Sequence, residues 1–295
     1  MIRNIILCGG GIKGLLFIGC MKVWEDMNIM NDIRTLVGCS VGSIFCFLIA
    51  IRYSADEIID LLMAFQERLE QQKEADLEDN LVDLFSFPET YGINNGSIIY
   101  DFFTFALKRK TGLEDITFIE MGKRFGKNMV ICGANLTNCN TDYFNMDTHP
   151  DMSILLAMRI SCSVPFIFTP VKYNDCLYVD GGIYNNFPFE YVTAIDPLRD
   201  IETIGVNIDT SYDKIESLGS YITVLICSMA DRAGKQKEIA QLKYVCTIGM
   251  HSCIGADMIN FSMPKEDIMK FVEKGKVEMK QYMLVRDTLF STREA

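Results

Sequence analysis

The chain has 295 residues, of which 49% are hydrophobic and 23% are charged, and its formal net charge is -11. This composition is typical of a globular protein and argues against a largely disordered chain. The acidic balance argues against nucleic acid as the main partner, because phosphate backbones bind to basic surfaces. It also argues against docking on strongly anionic lipid that is driven mainly by charge.

The cysteine and histidine counts disfavour a metal site. Eleven cysteines are scattered along the chain without a CxxC pair, and there are only two histidines, so a zinc site is not expected. An odd number of cysteines without a secretory signal is typical of free thiols in a reducing compartment. We expect neither a metal ion nor a cofactor.

Two apolar runs could be mistaken for targeting segments. Lys13 interrupts the N-terminal run, and no clear cleavage site follows it, so we do not expect a signal peptide. The longest uncharged run, Thr35–Ile51, is broken by two glycines and two serines, which disfavours a transmembrane helix. We expect a protein that is cytoplasmic or peripheral on intracellular membranes.

The first fifty residues alternate between short apolar strands and helices. This alternation predicts a mainly parallel sheet with helical layers. In chain order we predict a strand at Asn4–Cys8, a glycine loop at Gly9–Gly14, a helix at Leu15–Met27, a strand at Thr35–Val37, a turn at Gly38–Gly42 and a helix at Ile44–Ile51.

The remaining pattern continues in the same α/β style. Helices are predicted at Ala55–Gln72, at Ile98–Lys110, from Met152 onward, at Ser217–Ala230 and at Lys265–Leu289. Strands are predicted at Asn128–Asn135, Asp142–Met146, Val171–Tyr173, Cys176–Val179 and Ile201–Ile208, the third and fourth joined by a turn at Asn174–Asp175. Ser86–Ser97 is rich in turn-forming residues and is predicted to be a mobile loop. Without a repeat or a linker, we expect a single α/β domain over residues 1–295.

The glycine loop satisfies GxGxxG with Gly9, Gly11 and Gly14. A dinucleotide site would also need an acidic residue after the second strand, whereas Asp32 lies before that strand. A phosphate-binding P-loop would need Ser or Thr after Lys13. The remaining interpretations are an anion nest for a transient oxyanion, or a tight turn that binds nothing.

The second motif, Gly38-Cys39-Ser40-Val41-Gly42, is GxSxG between a strand and a helix. This context is typical of a nucleophile elbow, in which the serine hydroxyl projects above the sheet. The alternative is that Ser40 only caps the helix.

The third motif is Asp180-Gly181-Gly182 at the end of a predicted strand. It provides a carboxylate that can approach another group closely, or it is an ordinary Asp-Gly turn.

A Ser-His-Asp triad would need one of the two histidines, His149 or His251. In α/β-hydrolases the triad follows the chain order Ser, acid, His, and His251 is the histidine that satisfies this order. If neither histidine acts, Asp180 is the natural base for Ser40.

Taken together, the three motifs resemble those of the patatin-like phospholipases. The resemblance is carried by GGGxKG at Gly9–Gly14, GxSxG at Gly38–Gly42 and DGG at Asp180–Gly182. It is supported by the Ser-rich segment Arg159–Phe166, by Tyr178–Pro188 with its "DGG…N.P" pattern, and by the strand Asn128–Leu136. The resemblance covers roughly residues 5–190. Residues 191–295 are not diagnostic and are expected to complete the domain.

The resemblance implies a three-layer α/β/α fold with a mainly parallel central sheet. It implies a lipid acyl hydrolase in which Ser40 is the nucleophile and Asp180 accepts its proton. Gly38 and Gly42 would shape the elbow, and Gly181 and Gly182 the turn after Asp180. The oxyanion hole would be formed by the loop that contains Gly9, Gly10, Gly11, Lys13 and Gly14. The substrate would be a phospholipid or another acyl-ester lipid at a membrane surface.

Two features fall outside the family pattern. Cys8 stands where plant members of the family carry Asp. The segment Leu61–Ile99 matches no motif of the family and is expected to influence substrate choice.

Six basic residues cluster within a stretch of twenty residues. They either form a basic surface that contacts the membrane or are an ordinary solvated face. They are Lys108, Arg109, Lys110, Lys123, Arg124 and Lys127.

Two functions of other classes stay open on the sequence. One is a nucleotide- or dinucleotide-binding protein that uses Gly9–Gly14. The other is a non-catalytic lipid-binding member of the hydrolase fold, against which the presence of both Ser40 and Asp180 argues.

Overall fold

The computed structural model describes residues 1–73, 90–191, 199–212, 243–252 and 263–291, together with the isolated residues 215, 221, 224, 225 and 228. Ten strands are defined within these ranges. They are β1 (Asn4–Leu7), β2 (Thr35–Gly38), β3 (Gly92–Asn94), β4 (Asn128–Asn135), β5 (Asn140–Phe144), β6 (Phe166–Phe168), β7 (Val171–Tyr173), β8 (Cys176–Asp180), β9 (Thr203–Tyr212) and β10 (Val245–Ser252).

Eight of these strands form one mixed sheet in the order β10-β9-β1-β2-β4-β8-β7, with β5 also paired to β4. The five strands from β10 to β4 run parallel. The strands β5, β7 and β8 add an antiparallel side to the sheet. Because β2 lies inside the parallel part, the turn that follows it opens at the carboxyl edge of the sheet, where α/β proteins usually place their sites.

Helices pack against this sheet. They are α1 (Leu16–Asp26), α2 (Val41–Ala50), α3 (Ala55–Lys73), α4 (Ser97–Thr111), α5 (Phe118–Phe125), α6 (Ile154–Ser161), the single turn α7 (Gly182–Asn185) and α8 (Lys265–Ser291). The helix α2 lies against β1, β2 and β4, and α8 packs along α1. The three-layer α/β/α fold class predicted from the sequence is confirmed.

The core explains why α1 and α2 are apolar on most of their faces. The side chains of Phe17, Trp24 and Phe47 are fully buried, as are Ile5 and Ile6 of β1 between the two layers. Fully burying a large apolar side chain contributes about 1.5–3 kcal/mol. The central strand and these two helices therefore form a rigid base for the turns at the edge of the sheet.

Several predicted boundaries differ from the structure. Residues Gly11–Leu15, expected to be partly loop, form a 3-10 turn that leads into α1. Part of the predicted mobile loop is the strand β3, which pairs with β6, while residues 86–89 lie outside the described residues. The helix predicted at Ser217–Ala230 also falls mostly outside them. The helix α5 was not predicted, although Thr117 and Glu120 form a capping box at its start.

The predicted hairpin is confirmed in detail. Strands β7 and β8 pair in the expected register across the turn at Asn174 and Asp175. Both turn residues have positive φ, 46° and 59°, as expected for a tight two-residue hairpin turn.

Among the helices that the structure describes, none combines the length and apolar character needed to cross a bilayer.

Candidate active site

Ser40 lies in a strained turn between β2 and α2. Its φ is 50° and its ψ is -126°, a left-handed conformation that is rare for residues other than glycine. A Cβ on Gly42 would lie 2.3 Å from the carbonyl oxygen of Leu7, so glycine is required where α2 crosses β1. Although Ser40 is at the N-cap position, its side chain forms no capping hydrogen bond. This geometry is that of the elbow predicted from GxSxG.

The end of α6 and the segment just after it hold the backbone on both sides of the site. The N–H of Ser40 donates to Oγ of Ser161, the last residue of α6, at 2.9 Å. The N–H of Asp180 donates to the carbonyl oxygen of Ser163, two residues beyond the helix, at 2.8 Å. Ser161 and Ser163 are fully buried, so both hydrogen bonds are shielded from water. One short stretch of chain therefore fixes Ser40 relative to Asp180.

The Asp180 carboxylate is buried at the end of β8, with 5% of the residue exposed. Burial raises the pKa of Asp180 to about 6, while the Ser40 hydroxyl and the Gly182 N–H lower this pKa by favouring the charged form. The Gly182 N–H donates to Oδ1 at 2.8 Å. Oδ2 has no hydrogen-bond partner of ordinary geometry in the described part of the chain. The Ser40 hydroxyl thus lies close enough to the carboxylate to influence its pKa, but forms no hydrogen bond of ordinary geometry with Oδ2.

The glycine loop lies directly beside the elbow. A Cβ on Gly9 would be 3.2 Å from Cβ of Ser40. The Gly9 N–H donates to the carbonyl oxygen of Asn186 at 3.0 Å, and the Lys13 N–H donates to the carbonyl oxygen of Gly10 at 3.2 Å. The N–H groups of Gly10 and Gly11, at the start of the 3-10 turn, make no hydrogen bond within the described residues. These two donors remain for an anion.

Asn186 connects the glycine loop to the segment that follows Asp180. Besides its backbone bond to Gly9, its Nδ2 donates to the Gly9 carbonyl oxygen at 3.4 Å. On the other side of this segment, a Cβ on Gly181 would lie 2.5 Å from the carbonyl oxygen of Cys132, so only glycine fits next to β4. The DGG turn is therefore tightly packed between β4 and the glycine loop.

An apolar cavity of about 140 Å³ opens from Ser40 and the glycine loop. Apart from Ser40, Cys162 and Gln66, the side chains that line it carry no polar group. Its walls come largely from α2, α3, α4 and the segment after α6, and they include Ile44, Leu62, Met63, Phe102, Val164 and Phe168. A cavity of this kind accepts a hydrocarbon chain, because apolar walls offer no partners to polar groups.

His149 neither lines the cavity beside Ser40 nor contributes to the pKa shift of Asp180. The imidazole of His149 lies against the Phe144 ring at 5.0 Å, and its Nδ1 is 2.9 Å from the hydroxyl of Thr148. His251 lies within β10, where its backbone pairs with Ser211 of β9. The strand β10 is three positions from β2 in the sheet, a backbone separation of about 14 Å.

Some residues of the site could not be assigned from the sequence. Ser161 and Ser163 were quoted only as part of a family segment, and their contacts with Ser40 and Asp180 are tertiary. The cavity wall on α3 could have been predicted, because Ile58, Leu62 and Gln66 are spaced four residues apart and therefore share one face of the helix.

Within the ranges that the structure describes, no group of three or more His, Cys, Asp or Glu side chains could hold a metal ion.

Comparisons with known proteins agree with this geometry. A family model described as patatin-like phospholipase matches residues 5–193. The probable lipid hydrolase 463L of Invertebrate iridescent virus 6 is 33% identical over 190 residues, which cover 64% of this chain and 62% of that protein. This chain therefore spans less than two thirds of the length of that relative.

One further relative and one solved structure match more of this chain. The uncharacterized protein R571 of Acanthamoeba polyphaga mimivirus is 30% identical over 256 residues, which cover 79% of this chain and 82% of that protein. The crystal structure of VipD from Legionella pneumophila has the same fold, with a TM-score of 0.58 at 16% identity over 96% of this chain and 67% of that one. Because the family model matches more than half of the sequence, the chain belongs to the patatin-like phospholipase family.

Proposed function

We propose that this protein hydrolyses the acyl ester bond of a phospholipid or a related lipid, with Ser40 as nucleophile and Asp180 as general base. The observation that carries the proposal is the placement of the strained Ser40 near the buried carboxylate of Asp180, whose pKa burial raises to about 6 and the Ser40 hydroxyl lowers. A base is most effective when its pKa lies near the working pH, and an ordinary aspartate would be too weak. Family membership supports the choice of a phospholipid.

In the first half of the reaction, Oγ of Ser40 attacks the ester carbonyl while its proton passes to the carboxylate of Asp180. The tetrahedral intermediate then collapses, and the leaving alcohol takes the proton from Asp180. In the second half, Asp180 removes a proton from water, which attacks the acyl-enzyme. The fatty acid leaves and Ser40 regains its proton.

The N–H groups of Gly10 and Gly11 are the donors that would stabilise the oxyanion. They are preferred over the Gly9 N–H, which donates to Asn186, and over the Lys13 N–H, which donates to Gly10. One such donor contributes about 3–4 kcal/mol to lowering the barrier. Lys13 would add positive potential at the same turn.

The apolar cavity would hold the acyl chain that Ser40 releases. It begins at Ser40 and is walled by side chains of α2, α3 and α4. This shape is suited to a hydrocarbon chain and offers no polar partners to a nucleotide sugar or base. We therefore favour a lipid ester over the dinucleotide that GxGxxG alone would permit.

A fluorophosphonate probe tests the nucleophile directly. The protein should be labelled on Ser40, and Ser40→Ala should abolish both labelling and hydrolysis of a lipid ester. Ser153→Ala is the matched control, because Ser153 caps the distant end of α6 and should leave labelling intact. A folded Ser40→Ala protein that still hydrolyses lipid esters would refute the assignment.

A further inference from the structure

A groove with three basic side chains lies between α3 and α4, beside the apolar cavity. Its volume is about 370 Å³. One of its residues comes from α3 and the others from α4; they are Arg68, Asp101, Thr104, Phe105, Lys108 and Arg109. With one carboxylate against three cations, these six residues carry a net charge of +2 in a chain whose net charge is -11.

Two guanidinium groups share one aromatic ring in this groove. The guanidinium carbons of Arg68 and Arg109 lie 5.4 Å and 5.9 Å from the ring centroid of Phe105. Neither arginine forms a salt bridge with a carboxylate of the described residues. Cation–π contacts orient the two guanidinium groups, and in the described part of the chain Asp101 is the one carboxylate that lines the groove. An anionic ligand would offset the remaining positive charge.

The six basic residues that the sequence places between positions 108 and 127 do not form one basic surface in the structure. Lys127 is buried and donates to the carbonyl oxygen of Ile33, so it belongs to no basic surface. Lys110 forms a salt bridge of 2.6 Å with Glu57. Lys108 pairs with Glu114, but both side chains are mostly exposed, which makes the pair weak. Within the groove, the two arginines at Phe105 are therefore the cations without a carboxylate partner among the described residues.

The groove adjoins the cavity through a chain of aromatic rings. Phe102 lines the cavity. The Phe65 ring lies 5.1 Å from Phe102 and 5.7 Å from Phe105, between the cavity wall and the two arginines. A bound anion would thus lie on the outer side of the same helix pair whose inner side would receive the acyl chain.

We propose that this groove binds the phosphate of an anionic phospholipid at a bilayer surface and so holds the α3–α4 face of the protein against the membrane. The guanidinium fork matches phosphate oxygens in geometry and charge. The inference rests on the proposed lipid hydrolase function for the identity of the ligand, but binding can be measured without hydrolysis. Because the overall charge is strongly negative, attraction to anionic lipid must come from a local cluster such as this one.

The test is co-sedimentation of the purified full chain with vesicles. One set is phosphatidylcholine alone, and the other also contains a minor fraction of phosphatidic acid. The variant is Arg68→Gln with Arg109→Gln, and the matched control is Lys123→Gln with Arg124→Gln on α5, which removes the same number of charges from exposed residues. Circular dichroism and melting establish that both variants fold. A titration with inorganic phosphate alone separates a free anion from a lipid head group.

We expect the native protein to bind the phosphatidic acid vesicles more tightly, and this preference to weaken as salt is added. The arginine variant should lose about thirtyfold in affinity for these vesicles, since each cation near an anionic surface contributes about 1 kcal/mol. The control should change much less. Equal loss in the two folded variants, or no loss in either, would overturn the inference. Saturable binding of inorganic phosphate without vesicle binding would overturn the assignment to a lipid surface.

The outcome is separable from that of the proposed function. If the native protein lacks esterase activity but the arginine variant still loses vesicle binding, the groove assignment stands and the hydrolase proposal fails. If hydrolysis is present and the arginine variant binds vesicles as the native protein does, the groove assignment fails alone.

Discussion

The backbone N–H of Ser40 donates to Oγ of Ser161 at 2.9 Å, although 121 positions separate the two residues in the chain. Ser161 is fully buried at the end of α6. The bond fixes the N–H of the residue whose φ is 50°, so it stabilises the strained turn that presents the hydroxyl. Ser161 is therefore a positioning residue for the proposed nucleophile.

Ser161→Ala should lower kcat about tenfold and leave KM nearly unchanged, because a buried hydrogen bond contributes about 1–2 kcal/mol. Since the bond acts on geometry and not on the base, the pH at which activity is half-maximal should not move. Ser153→Ala in the same helix is the control and should cost stability through loss of its cap without this fall in kcat. Unchanged kcat in a folded Ser161→Ala protein would contradict the positioning role.

The pKa of Asp180 predicts how hydrolysis depends on pH. Asp180 must be ionised to accept the Ser40 proton, and its pKa is raised to about 6 by burial. Activity should therefore rise with pH through about 6 and level off above it. On a substrate without ionisable groups, kcat/KM at about pH 5 should be roughly a tenth of its plateau value. Constant activity from about pH 5 to pH 7 would indicate another base or a different rate-limiting step.

The apolar cavity predicts a dependence on acyl-chain length. Leu62→Trp adds bulk to the cavity wall on α3 and should exclude long chains before short ones. The ratio of kcat/KM for a laurate ester to that for a butyrate ester should fall by about tenfold or more, as expected from losing contact with a few methylene groups. Leu69→Trp, on the same helix outside the cavity lining, is the control. An unchanged ratio in Leu62→Trp would exclude this cavity as the acyl site.

We propose that residues 191–295 complete a single domain, and the contact between α1 and α8 provides a test. A Cβ on Gly275 of α8 would lie 2.0 Å from the carbonyl oxygen of Leu16, where backbone meets backbone. Gly275→Ala should lower the free energy of unfolding by about 1–3 kcal/mol, although alanine is the better helix former.

The control for this substitution is Gly122→Ala in α5, where an added Cβ would meet only the flexible end of Met146 at 3.3 Å. That change should be neutral or stabilising by about 0.5–1 kcal/mol. Denaturant unfolding measures both values. If Gly275→Ala unfolds α8 alone and leaves the remainder unchanged, the C-terminal helix is not part of one cooperative unit.

The features that could be predicted from the sequence are turns, whose conformation depends on the residues within them. The elbow at Ser40 and the turn after Asp180 were found because glycines mark strand ends, and the β7–β8 hairpin because its turn is two residues long. The loop prediction at Ser86–Ser97 is wrong for its last part, which forms the strand β3. Its partner β6 lies more than seventy residues away in the chain, so no local pattern indicates this strand.

The rest of the site depends on tertiary contacts that leave no local pattern. The roles of Ser161 and Ser163 arise because α6 ends between β2 and β8, which no single segment encodes. The pairing of Gly9 with Asn186 likewise joins residues 177 positions apart. By contrast, the helix α5 was missed although Thr117 and Glu120 form the capping pair that marks its start.

The central claim is that Asp180 acts on Ser40 without a histidine. The most direct test compares two variants kinetically on one soluble ester, with folding checked by melting. His149→Ala with His251→Ala should keep turnover within about tenfold of the native protein, because His149 does not contribute to the pKa shift of Asp180 and the His251 backbone lies in β10, three strands from β2. Asp180→Asn should lose about a thousandfold or more, since the amide keeps the shape but cannot accept a proton. An inactive histidine variant together with an active Asp180→Asn protein would contradict the account.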